Sequence, residues 1–163
     1  MQSSEETIAA LIEGNEKLTS IFGYWPSFHD AEVLDVHLWR GDVQPKEKQY
    51  LFPVLTTKLH VWELTKEVNQ QGYFVLRKHT LATLRFHDVL DLRLEGFNQQ
   101  NAILELSITR NRSSESPAGA FVVNFDPAFG MGAAFTCSRI EVVDAVRCSD
   151  DGGVLDSSPH LSG

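Results

Sequence analysis

Apolar positions along this chain follow two periods, and the point where one gives way to the other divides it. Over residues 3–22, Ile8, Leu11, Ile12, Leu18 and Phe22 keep a near-helical spacing, while Glu13, Glu16 and Lys17 fall on other faces. Side chains three and four apart share one side of an α-helix, so this stretch reads as a single amphipathic helix. Ser3 with Glu6 has the form of a capping box at its start, and Gly23 followed by Pro26 marks its end.

Beyond that point the period is 2. In Val33–Arg40, Leu34, Val36 and Leu38 alternate with Asp35, His37 and Trp39, the mark of a half-buried strand. Leu55–Leu64 places Leu55, Leu59 and Val61 on one face, with Lys58, His60 and Trp62 on the other. Tyr73–Phe86 reads as a long strand with a break near Lys78-His79, after the turn signal Asn69-Gln70-Gln71-Gly72. Val89–Glu95 alternates again, and Ala102–Thr109 sets Ala102, Leu104, Leu106 and Ile108 against Glu105 and Ser107. Ala120–Phe125, Ala133–Cys137 and Ile140–Arg147 complete the series, and Lys46-Glu47-Lys48 and Arg112–Gly119 read as loops.

Strands that follow one another across short turns pair antiparallel rather than through βαβ crossovers. The fold expected is therefore α+β and mainly β: an N-terminal helix packed on an antiparallel sheet, sandwich or open barrel of about seven strands. Residues 1–148 are expected to form a single globular domain, and residues 149–163, rich in Ser, Asp and Gly, a flexible C-terminal tail. At 163 residues one core suffices without disulfide or metal staples.

Charge narrows the choice of partner. The chain has 22 acidic and 14 basic residues and a net charge of −8. This argues against a nucleic-acid surface and against docking on anionic lipid, and it favours encounter with a basic protein. Only Cys137 and Cys148 are present, too few for a disulfide framework or a Cys-x-x-Cys zinc pair. Cys137 reads as a small core residue, and Cys148, at the start of the polar tail, as an exposed one. No basic-then-apolar leader and no apolar run of bilayer length is visible, which places the expected site of action in the cytoplasm.

The candidate chemistry is concentrated in Phe28-His29-Asp30-Ala31-Glu32, just after Gly23-Tyr24-Trp25-Pro26. His and carboxylate together can bind a metal or shuttle a proton, but neighbours on an extended chain point to opposite faces. A structural role is the simpler alternative: Asp30 accepting backbone N–H bonds in the bend after Pro26, His29 bridging buried carbonyls, and Trp25 and Phe28 plugging an end of the core. A partner-contact role for Trp25, Pro26, Phe28, His29, Asp30 and Glu32 stands beside it. Phe86-His87-Asp88 repeats the first motif, and if the two copies meet, His29, Asp30, His87 and Asp88 would make a two-His, two-Asp metal site. His60, Trp62 and Glu63 form a further partner-contact candidate, since Trp joins large apolar area to a polar handle. The chain contains no Gly-x-Ser-x-Gly elbow, His-Glu-x-x-His helix or phosphate loop, so no catalyst is expected, and no cofactor.

The run Gly23-Tyr24-Trp25-Pro26-Ser27-Phe28-His29-Asp30-Ala31-Glu32-Val33 resembles the signature of the immunity protein 50 family, small bacterial proteins associated with polymorphic toxin systems. Leu59-His60-Val61-Trp62-Glu63, Leu84-Arg85-Phe86, Gly96-Phe97-Asn98 and Phe135-Thr136-Cys137 fall in a similar order, and the resemblance extends over Ile21 to Arg147. It implies a protein without catalytic activity that binds and neutralises a cognate toxin, a basic one if charge guides the encounter. The alternative is a metal-binding domain or metal-dependent enzyme using His29, Asp30, His87 and Asp88. Oligomeric state is not readable from the residues.

Overall fold

The structure, a computed structural model, describes residues 8–41, 52–111 and 119–153. Among them are a helix α1 (Glu16–Phe22) and eight strands: β1 (Glu32–Trp39), β2 (Val54–Val68), β3 (Phe74–His87), β4 (Leu90–Glu95), β5 (Ile103–Arg110), β6 (Phe121–Pro127), β7 (Gly132–Cys137) and β8 (Arg139–Arg147). They form two four-stranded antiparallel sheets, ordered β1-β2-β3-β8 and β4-β7-β6-β5. The chain leaves the first sheet after β3 and returns at β8, so each sheet is a three-strand meander, β1-β2-β3 or β5-β6-β7, completed by β8 or β4.

That interior is a sandwich core. Leu55, Leu59, Val61, Ala82, Leu84 and Phe86 of the first sheet pack with Ile103, Leu106, Val123, Phe125 and Phe135 of the second in a single buried cluster. Phe86 makes edge-on contacts with Phe125 at 6.0 Å and Phe135 at 5.0 Å between ring centroids, joining the sheets at mid-height. Leu18 and Phe22 of α1 enter the same cluster from above β3 and β8. Each such side chain stabilises the fold by about 1.5–3 kcal/mol through removal from water.

Two corners are stitched by main-chain bonds. At one, Val33 N–H donates to Asn101 O at 3.0 Å and Ile103 N–H to Ala31 O at 3.0 Å, tying the start of β1 to the start of β5. At the other, Ser138 N–H donates to His87 O at 2.9 Å. The antiparallel sheet architecture expected from the alternation is thus present as a sandwich, with eight strands among the described residues.

The helix is shorter than its pattern predicts. Glu13 leaves the helical path and bridges β8: its N–H donates to Ile140 O at 2.9 Å, and its carbonyl accepts from Val142 N–H at 2.7 Å. Gly14 then turns with φ +72°, in the left-handed region that favours glycine. Residues 9–13 therefore cannot continue into α1, and Leu11, assigned to the apolar stripe, is 42% exposed. The helix ends as expected, with Gly23 at φ 84° donating its N–H to Thr19 O at 2.7 Å. Ser3 and Glu6, like Lys46–Lys48 and most of the Arg112–Gly119 loop, lie outside the described residues.

Three β-bulges shift the faces read from alternation. The register slips between Val33 and Asp35 in β1, so Val33 is buried while Leu34 is exposed; Val36 and Leu38 keep the expected face, opposite Thr57 and Leu55, although Leu38, near the strand's end, is 48% exposed. A second slip between Ile103 and Glu105 buries Ile103 and leaves Leu104 in solvent. In β3 the break expected at Lys78-His79 is a bulge at Lys78, with φ 56°. Cys148, expected to be exposed, is buried, because its N–H donates to His79 O at 2.9 Å and the following turn, Ser149–Gly153, folds back on the sheet.

Candidate functional site

The Trp25–Glu32 segment is the connection from α1 to β1. Phe28 and Asp30 both take left-handed backbone conformations, with φ 61° and 64°. Phe28 is buried, with its ring 5.5 Å from that of half-buried Trp25, and Pro26 is buried beside them. Asp30 N–H donates to Ile103 O at 2.9 Å, and His29 Nδ1–H to Leu104 O at 2.8 Å. Glu32 Oε1 accepts from Asn101 N–H at 2.7 Å. This segment therefore holds the first sheet onto β5. The Asp30 carboxylate does not cap the bend; it faces solvent, 3.5 Å from His29 Nε2.

The second Phe-His-Asp copy matches the first only at its Asp. Asp88, like Asp30, has a positive φ, of 58°, and precedes a strand, but Phe86 and His87 end β3 whereas Phe28 takes a left-handed conformation in a loop. His87 Nε2–H donates to Glu141 Oε1 at 2.7 Å, and Asp88 accepts from the Ser138 hydroxyl. His29 and Asp30 lie against β5, whereas His87 and Asp88 lie against Glu141 and Ser138 at the β7–β8 corner. The four side chains do not converge, and among the described residues no group of three or more His, Cys, Asp and Glu could hold a metal ion. The metal-site alternative is corrected by this placement: similar local sequence lies against different partners, β5 in one copy and the β7–β8 corner in the other.

Around Glu141, Arg85 at 3.8 Å and Arg139 at 3.9 Å complete a small surface network with His87. The His87 hydrogen bond and these cations hold the Glu141 carboxyl below the usual carboxylate range. Cys137, buried in the core, has its thiol pushed up to about 12 by desolvation, which makes it an inert packing residue.

His60, Trp62 and Glu63 lie where β2 leaves the sandwich. Leu59 and Val61 face the core, so alternation turns His60, Trp62 and Leu64 to the outer face of the first sheet. There His60 Nε2 and His79 Nδ1 share a hydrogen bond of 3.0 Å, and Trp62 packs edge-on against His60 at 5.0 Å and beside His79 at 6.0 Å. The Ser149–Gly153 turn covers His60, leaving it buried although it faces outward. Burial and the neighbouring His79 lower the pKa of His60, opposed by Asp150, Asp151 and Glu32. Glu63 points to the opposite face, where it accepts from Tyr24 Oη at 2.6 Å and meets Lys78 Nζ at 3.4 Å.

Past this cluster the β2–β3 hairpin continues alone. β1 pairs with β2 only up to His60, and β8 pairs with β3 only from Thr80. Glu63–Val68 and Phe74–Arg77 pair with each other alone among the described residues. The register sets Leu64 opposite Leu76 and Val68 opposite Phe74, on the face that carries Trp62. Their exposures are 59%, 37%, 57% and 60%, and Tyr73 beside them is 72% exposed. The sequence pattern gave no warning of this arm, because an apolar residue awaiting a partner and one buried in a core are the same letter. Tyr24, Lys78 and His79 were missed for a related reason: only the folded chain brings them to Glu63 and His60.

The arrangement offers recognition chemistry, an aromatic cluster merging into an apolar arm, and among the described residues no group of three or more metal-ligating side chains. No helix among the described residues is long and apolar enough to cross a membrane. Neither a curated protein nor a solved structure matches the chain. A family model described as Immunity protein 50 matches residues 14–147, from the β8-bridging turn to the end of β8. The chain belongs to the immunity protein 50 family, whose members are immunity-type proteins without catalytic activity and imply a cognate toxin as partner.

Proposed function

We propose that this protein neutralises its cognate toxin by forming a stoichiometric complex in the cytoplasm, through surface complementarity alone. The observation that carries this reading is the family match over residues 14–147, which spans both sheets. A net charge of −8 supports a basic toxin domain as the partner, since opposite charge accelerates encounter, and it disfavours nucleic acid and anionic membrane. The His60, Trp62 and Glu63 region is the better contact candidate, because Trp62 is partly accessible and borders exposed apolar surface. Trp25, Pro26, Phe28, His29, Asp30 and Glu32 serve mainly to hold α1 and β1 onto β5, with the exposed His29–Asp30 pair available to a partner.

Co-expression tests the proposal. Cells producing the toxin encoded beside this chain's gene should grow only when this protein is also made, and the two should co-purify in equal amounts. A toxin whose lethality is unchanged by this protein, and which does not bind it, would remove the proposal.

A further inference from the structure

We infer that the outward apolar face of the β2–β3 arm, centred on Leu64, Phe74 and Leu76 and flanked by Trp62 and Val68, is the surface that grips the toxin; this rests on the function proposed above and assigns its contact. The arm is two strands wide, and a two-stranded hairpin is marginal in water without a third layer. A fold whose core is complete elsewhere has no need to extend β2 and β3 past their neighbours, and still less to line the extension with apolar side chains. Taking roughly 150–250 Å² for a large side chain, the exposed parts of these residues make a patch on the order of 500 Å². That equals the largest patches found on ordinary monomers, which are commonly functional.

The size and charge of the patch choose the occupant. A stable interface needs about 800 Å² from each partner, so the patch can form the dry centre while polar residues around it, such as Glu67, Asn69 and Gln71, form the rim. Of the arm's cations, Arg77 is paired with Glu67 and Lys78 with Glu63, while Lys66, exposed between Leu64 and Val68, has no carboxylate within ion-pair distance among the described residues; the long-range field a partner senses is set by the whole chain. At −8 that field repels a second copy and attracts a basic protein. The occupant is therefore a basic toxin domain carrying a complementary apolar patch, engaged by aromatic anchors at the centre of the contact.

The test uses the full chain and the purified toxin encoded beside its gene. Leu64→Asp with Phe74→Asp places two charges on the exposed face, and Phe129→Asp, at a residue 63% exposed beyond β6, is the control. The double variant should keep the wild-type melting temperature, bind the toxin at least 100-fold more weakly and fail to protect cells, while the control behaves as wild type. Binding within threefold of wild type by the double variant would overturn the assignment of the arm and leave the immunity function standing. A wild-type protein that neither binds nor protects would overturn both. If the wild type is a dimer that the double variant dissociates without loss of toxin binding, the face belongs to a second copy and the inference is wrong.

Discussion

Tyr24 Oη lies 2.6 Å from Glu63 Oε2, so the residue just past the C-cap of α1 is hydrogen-bonded to the base of the β2–β3 arm. Desolvation and this carboxylate raise the Tyr24 phenol to about 12, while the same bond, with Lys78, lowers the Glu63 carboxyl. Tyr24→Phe should leave the fold intact and reduce stability by about 1 kcal/mol; the contact is half-exposed, so the low end for a charged hydrogen bond applies. In an alkaline absorbance titration, the tyrosine ionising near pH 12 should disappear in the variant. Because the folded state holds this proton more tightly than the unfolded one, wild-type stability should fall as pH rises from 10 towards 12, and Tyr24→Phe should flatten that decline.

Gly14 and Gly23 both have positive φ, yet substitution should affect them differently. A Cβ at Gly14 would lie 2.5 Å from Val142 O, a main-chain atom fixed in β8, whereas nothing lies within 4 Å of one at Gly23. Gly23→Ala should carry only the left-handed backbone penalty, about 1–2 kcal/mol. Gly14→Ala adds a clash that only displacement of Glu13 from β8 can relieve, so its loss should exceed that of Gly23→Ala by about 1–3 kcal/mol. Paired urea denaturation curves measure the difference, and equal midpoints would contradict the bridge between Glu13 and β8.

Most of the sheet structure was legible because a strand with one buried face must alternate, and a slip by one residue would expose its whole apolar set. Leu55, Leu59 and Val61 were placed correctly on that ground. The errors at Leu34 and Leu104 come from β-bulges, which are settled by pairing with a distant strand and leave no local trace. The helix failed at Glu13 for a similar reason: its apolar spacing is helical, but β8 takes both its main-chain groups. In the site, the Phe-His-Asp repeat matched in backbone only at Asp30 and Asp88 and wrongly suggested convergence, since local similarity says nothing about where two segments lie in space. The arm was hidden because its turn and both its strands were readable, but not the early ends of their neighbours.

Asn101 concentrates more hydrogen bonding than any turn residue near it. It is 3% exposed; its Oδ1 accepts from Asn98 N–H at 2.8 Å and Met131 N–H at 3.1 Å, and its Nδ2 donates to Asn98 O at 2.7 Å. Gly96 and Gly130 pack closely at the same place. Asn101→Ala would orphan two main-chain donors, each costing about 1–3 kcal/mol when left without a partner. A loss of about 2–5 kcal/mol in chemical denaturation is expected, accompanied by faster hydrogen exchange at Asn98 and Met131. A loss under 1 kcal/mol would show that the loop rearranges freely and that Asn101 is not its organiser.

His60 should make the outer face sensitive to mild acid. Burial and the adjacent His79 lower its pKa from 6.5, and the opposing pull of Asp150, Asp151 and Glu32 does not restore it. A histidine with a lowered folded pKa binds its proton more readily in the unfolded chain, so its stabilising contribution is complete above pH 6.5 and is lost as pH falls from there through the folded value. The carboxylates Glu63 and Glu141 act in a separate window: their pKa values lie below 4.5, so the stability they supply is lost only below that pH. His60→Gln, neutral throughout, should therefore abolish the first decline in melting temperature and preserve the second. Because buried Cys148, whose N–H is bonded to His79 O, immediately precedes the Ser149–Gly153 turn against His60, a thiol reagent should label it faster as the wild type is acidified through the first window, after correction for reagent chemistry, and not in the variant. A melting temperature of the wild type that stays level from pH 6.5 down to 4.5 would show that protonated His60 is accommodated at no loss.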